Sequence, residues 1–333
     1  MNFRLMKKLT IIVTLLVFTL VARGQIIKGT VYDKDTKEPV IAATVYFNGT
    51  SAGTLTDVNG HFSIDISRYS SMPLTVSAIG YYSATIKKFS PAKSLDVYLE
   101  TKVIELGEVT VTAKRHPLLR AENMTIFRNE FLGTTANAMN CKIMNEDDIV
   151  FKTSADGDTL MAFTNKPLQI ENRALGYNIT YFLDRFEYNK ESKTFVFNGN
   201  VIFREDTTLN ERKRKFVERK REATYLGSRM HFFRSLWIND LNANGFTVRN
   251  TANEIVGYNK IVLVMDSRTK YLYTYSPLGI SYYSKQVTSH LVPVKDKIFF
   301  DADGYYDQLA VIWEGEMSRQ RIADQLPFEY HAE

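Results

Sequence analysis

The sequence predicts a mainly β protein of two units: an antiparallel β-sandwich followed by a larger β-rich α+β unit. Two observations lead there. Short apolar–polar alternating runs, separated by turn residues, fill the stretch from Gln25 to about Glu100. From Leu118 onward the chain is aromatic-rich and mostly strand-like, with only two segments of helical pattern.

In the first unit the runs are Ile27/Gly29/Val31, Ile41/Ala43/Val45, Phe62/Ile64/Ile66, Leu74/Val76/Ala78 and Leu95/Val97/Leu99. Side chains alternate across a strand, so each run buries one face and leaves the other to water. Between them stand Asp33-Lys34-Asp35, Asn48-Gly49 and Asp57-Val58-Asn59-Gly60, whose Asn and Gly residues accept the positive φ of tight turns. Asp57–Gly60 has the look of a calcium loop but lacks the further carboxylates and the distal glutamate, so it is read as a hairpin turn. The locally complete pattern implies that residues 25–100 form a unit able to fold alone, joined through 101–117 to a second unit at 118–333.

In that second unit, Phe186-Glu187-Tyr188 and Thr194–Phe197 read as a hairpin, and Asn198-Gly199-Asn200 reads as a turn into Val201-Ile202-Phe203. Further strands are expected at Lys260–Met265, Lys270–Tyr275, Ile280–Ser284, Lys297–Phe300 and Leu309–Trp313. Helices are expected over Leu209 to about Leu236, weakened at Gly227-Ser228, and over Met317–Gln325, ended by Pro327.

Residues 1–24 read as a signal peptide. Arg4, Lys7 and Lys8 precede an apolar run from Leu9 to Ala22, and small residues stand before Gln25. The formal charge of +5 belongs largely to this segment. Removing its four cations from the 42 basic residues leaves 38 against 37 acidic ones, a net of +1. Such a balance gives no electrostatic case for nucleic acid. Cys141 is the only cysteine and sits in an alternating run, as a small buried residue would.

The order of motifs in the first unit also carries a resemblance. Lys28-Gly29-Thr30-Val31-Tyr32-Asp33, Glu38-Pro39-Val40, Asp57-x-x-Gly60-x-Phe62, Leu74–Tyr81, Leu95–Leu99 and Glu105–Val111 together resemble the carboxypeptidase-like regulatory domain. That domain is a small transthyretin/immunoglobulin-like sandwich of secreted and outer-membrane proteins. The resemblance implies an exported protein, in the periplasm or at the outer membrane of a Gram-negative cell, and supplies no chemistry. Glu105–Ala113 is similar to the segment that follows this domain in TonB-dependent receptors, but the roughly 220 residues left are too few for a plug and barrel. Ala174–Tyr177 and Tyr225–Leu236 resemble an uncharacterised domain that follows the regulatory-like one in related secreted proteins, which implies no activity.

No His-Glu-x-x-His helix or phosphate loop occurs, and the five histidines are scattered, so no catalytic residue, cofactor or metal is assigned. The candidate ligand-binding residues are His231, Arg234 and Trp237. His231 and Arg234 lie one helical turn apart and could face an anion. The competing reading makes this segment a core stripe, with Arg234 tied to an internal carboxylate. Glu211–Glu222 reads as a solvated basic helix. Asp301-Ala302-Asp303 reads as an acidic turn.

The function expected is a non-catalytic binding or assembly protein of the envelope, with a protein or glycan partner and no nucleic acid. One alternative is a glycan hydrolase drawing its acids from Asp301, Asp303, Glu314 and Glu316. Another is an accessory partner of an outer-membrane receptor.

Overall fold

The computed structural model describes residues 25–69, 71–102, 117–266 and 269–332. The expected signal segment at 1–24 and most of the join lie outside the described residues.

The first unit is a sandwich of two sheets. β1 (Ile26–Asp33) runs antiparallel to β4 (His61–Asp65) and parallel to β7 (Leu95–Leu99). β2 (Thr44–Phe47) lies between β3 (Gly53–Leu55) and β5 (Leu74–Ser77), and β5 pairs with β6 (Ala84–Ile86). Ile27, Val31, Val45, Phe47, Ile64, Leu74, Val76, Val97 and Leu99 face one another between the sheets. The β1–β7 pair departs from an all-antiparallel expectation. Its tightness explains Gly29, where a Cβ would stand 2.1 Å from the Leu95 carbonyl oxygen. Ile41 also differs from expectation: it is exposed, because Ala42 at φ +55° turns the chain and β2 begins only at Thr44. The Asp57 turn forms as read, its carboxylate accepting from the Asn59 and His61 amides at 2.8 Å.

Residues 118–332 hold two cores where one unit was expected. The first is a six-stranded sheet built on β12 (Tyr177–Asn189). β13 (Phe195–Glu205) flanks β12 along its whole length; β11 (Leu168–Asn172) and β10 (Thr159–Phe163) share the other side. β8 (Cys141–Ile143) and β9 (Val150–Thr153) close the edges. Asn198-Gly199-Asn200 does not turn. It lies inside β13, opposite a bulge between Leu183 and Arg185, with Gly199 packed against the Tyr181 ring.

Helix α1 (Pro117–Phe131), in a stretch for which no element was expected, covers this sheet. Met124, Phe127 and Phe131 recur at helical spacing and are buried against Phe151, Tyr181 and Phe186. Each such buried ring contributes about 2–3 kcal/mol of burial free energy.

The second core is built on α3 (Arg229–Trp237), which follows α2 (Glu211–Tyr225), whose Tyr225 belongs to the first core. The two helices break at Leu226-Gly227-Ser228 as expected, with Ser228 capping α3 through the His231 amide. Phe232, Phe233 and Leu236 of α3 are fully buried by two sheets. One is β14 (Phe246–Arg249), β17 (Leu278–Tyr282), β18 (Ser289–Pro293) and β20 (Val311–Gly315). The other is β15 (Val262–Asp266), β16 (Thr269–Tyr273) and β19 (Lys297–Phe300), with the short α4 (Tyr258–Ile261) leading into β15. The helix expected over Met317–Gln325 is absent. Two 3₁₀ turns, Glu316–Arg319 and Ile322–Asp324, are separated by extended Gln320. Side chains of the sheet unit hold this segment instead, Asn172 donating to the Ala323 carbonyl and Thr135 and Asn137 to the Asp324 carboxylate.

Candidate functional site

The expected ligand residues all lie on α3, and the structure does not bring them into one pocket. His231 is 6% exposed, wedged among the rings of Tyr225, Phe246 and Tyr282. Its Nδ1 accepts from the Gly227 amide, which leaves Nε2 to donate toward Asn244 Oδ1. Burial, reinforced slightly by the Arg234 charge, lowers its pKa and keeps the ring neutral. Among the described residues Arg234 meets no carboxylate, contrary to expectation. Its guanidinium donates to the carbonyls of Asp303 (2.9 Å), Tyr330 (2.6 Å) and Phe328 (3.0 Å). Trp237 is half-buried beneath the Lys270 ammonium, 4.4 Å from its ring centroid, and Lys270 also donates to the Trp237 carbonyl.

Along α2 the cations are exposed except half-buried Lys220 and buried Arg221. Arg221 turns inward to Glu205 at 2.7 Å, to the Leu175 carbonyl and over the Tyr177 ring. Cys141 packs against the sheet core, where burial pushes its thiol up to about 12.

The acids of the hydrolase alternative do not converge on a cleft. Asp301 is buried and accepts from the Asp303 and Tyr305 amides and from Ser71. Its desolvated carboxyl is pushed up to about 6. Asp303 is half-buried, and Glu314 and Glu316 are exposed on β20 and the turn after it. Among the described residues no cluster of three His, Cys, Asp or Glu side chains could hold a metal.

The densest polar constellation is one that local pattern reading missed: the seam between the sandwich and the rest. The loop after β2 docks on β13, with Gly49 donating to Val201 and Thr50 accepting from Phe203. Lys102 leaves the sandwich and donates to the Leu183 carbonyl at 2.8 Å. Neighbouring Asp184 is pushed up to about 6, burial outweighing the Lys102 charge. Phe328 packs into the sandwich core, and Glu329 accepts from the Ser51 amide, the Ser51 hydroxyl and the Tyr69 hydroxyl. These contacts join residues up to 278 positions apart, so no local spacing could reveal them.

Two shallow depressions lie away from the seam. One, about 350 Å³, is lined by Pro39, Ile41, Ala78, Ile79 and Tyr81 at one end of the sandwich. The other, about 250 Å³, is lined by Asn250, Glu254, Lys260, Tyr273 and Tyr275.

The family described as the CarboxypepD_reg-like domain matches residues 27–111. The N-terminal sandwich is a CarboxypepD_reg-like domain. No curated protein matches the chain. Among solved structures, the chain is similar to a protein of unknown function from Bacteroides fragilis NCTC 9343, described there as membrane-associated. That likeness has 14% identity, covers 56% of this chain and 83% of that one, and has a TM-score of 0.18. A 9R-lipoxygenase from Cyanothece PCC8801 is similar at 11% identity over 65% of this chain and 49% of that one, with a TM-score of 0.19. At such scores neither structure informs fold or function. The regulatory-like domain is of a non-catalytic class, and it sits here as one wall of a three-core body.

Proposed function

We propose that this protein is a non-catalytic binding or assembly module exported to the cell envelope, in the periplasm or at the outer membrane, where it engages a protein or a glycan. The observation that carries this reading is the CarboxypepD_reg-like domain at 27–111. Two features support it. The acids of the hydrolase alternative serve a turn or face solvent, rather than facing one another in a cleft. The sandwich also presents a shallow apolar depression beside Ile41 and Ile79, which are 59% and 64% exposed. The apolar mouth of a rigid sandwich suits contact with a partner better than it suits chemistry.

The test is fractionation of the producing cell followed by affinity capture from its envelope fraction, with wild type and an Ile79→Asp variant in parallel. A specific partner captured by wild type and lost by the variant is expected. Residence in the cytoplasm contradicts the reading. So does glycan-hydrolysing activity that disappears on Asp301→Asn or Glu314→Gln replacement.

A further inference from the structure

The contact between the sandwich and the segment 325–332 is built like a ligand site. The Phe328 ring enters the sandwich core at 8% exposure, its edge toward Tyr305. It closes over Gly49, where a Cβ would lie 2.5 Å from the ring, so only glycine leaves the space. The Phe328 amide donates to the Gly49 carbonyl at 2.9 Å, and the Tyr330 amide donates back to the Pro327 carbonyl at 2.9 Å, so Phe328 and Glu329 are presented at the tip of a tight turn. The next side chain, Glu329, presents one carboxylate oxygen to three donors: the Ser51 amide (2.7 Å), the Ser51 hydroxyl (2.8 Å) and the Tyr69 hydroxyl (2.6 Å). An apolar socket beside a three-donor carboxylate cradle reads two adjacent side chains through different chemistry, the usual basis of short-motif recognition.

We propose that the loop from Phe47 to Gly53, together with Tyr69, is a peptide-recognition site for a turn-forming segment carrying a large aromatic residue followed directly by glutamate. The chain fills this site in cis with its own Phe328-Glu329. The held segment is an autoinhibitory strap, and its release exposes the site to a partner segment of the same chemistry. Flanking restraints set how firmly the strap stays seated. Arg234 grips the carbonyls of Phe328 and Tyr330, and Asn172 and Thr135 hold the chain just before the motif. These tethers make the cis contact intramolecular, so a free peptide competes against a high effective concentration. The inference goes beyond the envelope reading and does not depend on where the protein resides.

The test uses the full chain. A fluorescent peptide of sequence QLPFEYHA, matching residues 325–332, is titrated into wild type and into the Phe328→Ala/Glu329→Ala variant, with folding checked by circular dichroism. The expected result is saturable binding to the variant, at least about tenfold tighter than to wild type. Replacing Phe by Ala or Glu by Gln in the peptide should weaken binding by about tenfold or more. A folded variant that ignores the peptide, or equal binding by both proteins, overturns the proposal. Should the variant fail to fold, hydrogen exchange of wild type decides. A displaceable strap lets the Phe328 amide exchange much faster than the amides of β2 and β5. Exchange of that amide only at the rate of global unfolding overturns the proposal as well.

Discussion

Arg234 shows how far a residue's role depends on partners distant in sequence. Its position on α3, between buried Phe233 and Ser235, makes a structural cation legible, and the core reading of this stripe agrees with the burial of Phe232, Phe233 and Leu236. What it binds was not legible, because three carbonyls at 303, 328 and 330 leave no mark in local pattern. Replacing Arg234 by Ala strips those carbonyls of a charged donor, and a loss of about 2–3 kcal/mol is expected, read as a lower Tm. Unchanged Tm would contradict the assignment. Asp184 and Asp301 give a second test. Both carboxyls are raised from 3.8 to about 6, so the folded state holds their protons where the unfolded chain has released them. Their contribution is fully present below about pH 4 and is lost as pH rises toward 6. Asp33 and Asp57, lowered by backbone amides, act the other way, their contribution fading only as pH falls below 4. Urea melts of Asp184→Asn and Asp301→Asn should therefore lose less stability between pH 4.5 and 7 than wild type, by about 2 kcal/mol each. Identical pH profiles would count against the buried carboxyls.

At the scale of elements, alternation placed the sandwich strands well, because each buries one face against a facing sheet. It failed where a long-range partner overrode the local signal. Asn198-Gly199-Asn200 has turn chemistry, yet the long pairing with β12 carries it straight and uses Gly199 to admit the Tyr181 ring. In α1, Met124, Phe127 and Phe131 keep helical spacing, but three apolar positions in a stretch without a cap signal do not stand out in a half that reads as mostly strand-like. The β1–β7 pairing can be tested through glycine. Gly29→Ala drives a methyl into the Leu95 carbonyl and the Phe62 ring and is expected to cost about 3 kcal/mol. At Gly257 an added Cβ meets nothing within 4 Å and φ is −76°, so Gly257→Ala should stay within about 0.5 kcal/mol of wild type. Equal effects at the two sites would contradict the close strand approach.

The molecule as a whole is three cores held by one seam. The sandwich looked self-sufficient in sequence because its strands and turns are complete within residues 25–100. The structure adds Phe328 to its core, Glu329 to its loop and Lys102 to the neighbouring sheet. None of these contacts could be read from the sequence, since each joins segments dozens to hundreds of residues apart. Aromatic content was similarly ambiguous: most rings serve the cores, while Tyr275 and Tyr283 are exposed at 72% and 76%. The central claim is that the regulatory-like domain is mechanically part of the larger body rather than a bead beside it. Differential scanning calorimetry of the full chain tests it most directly. One transition with equal calorimetric and van't Hoff enthalpies is expected in wild type, splitting into two when Phe328 and Glu329 are both replaced by Ala. Two separate transitions already present in wild type would contradict it.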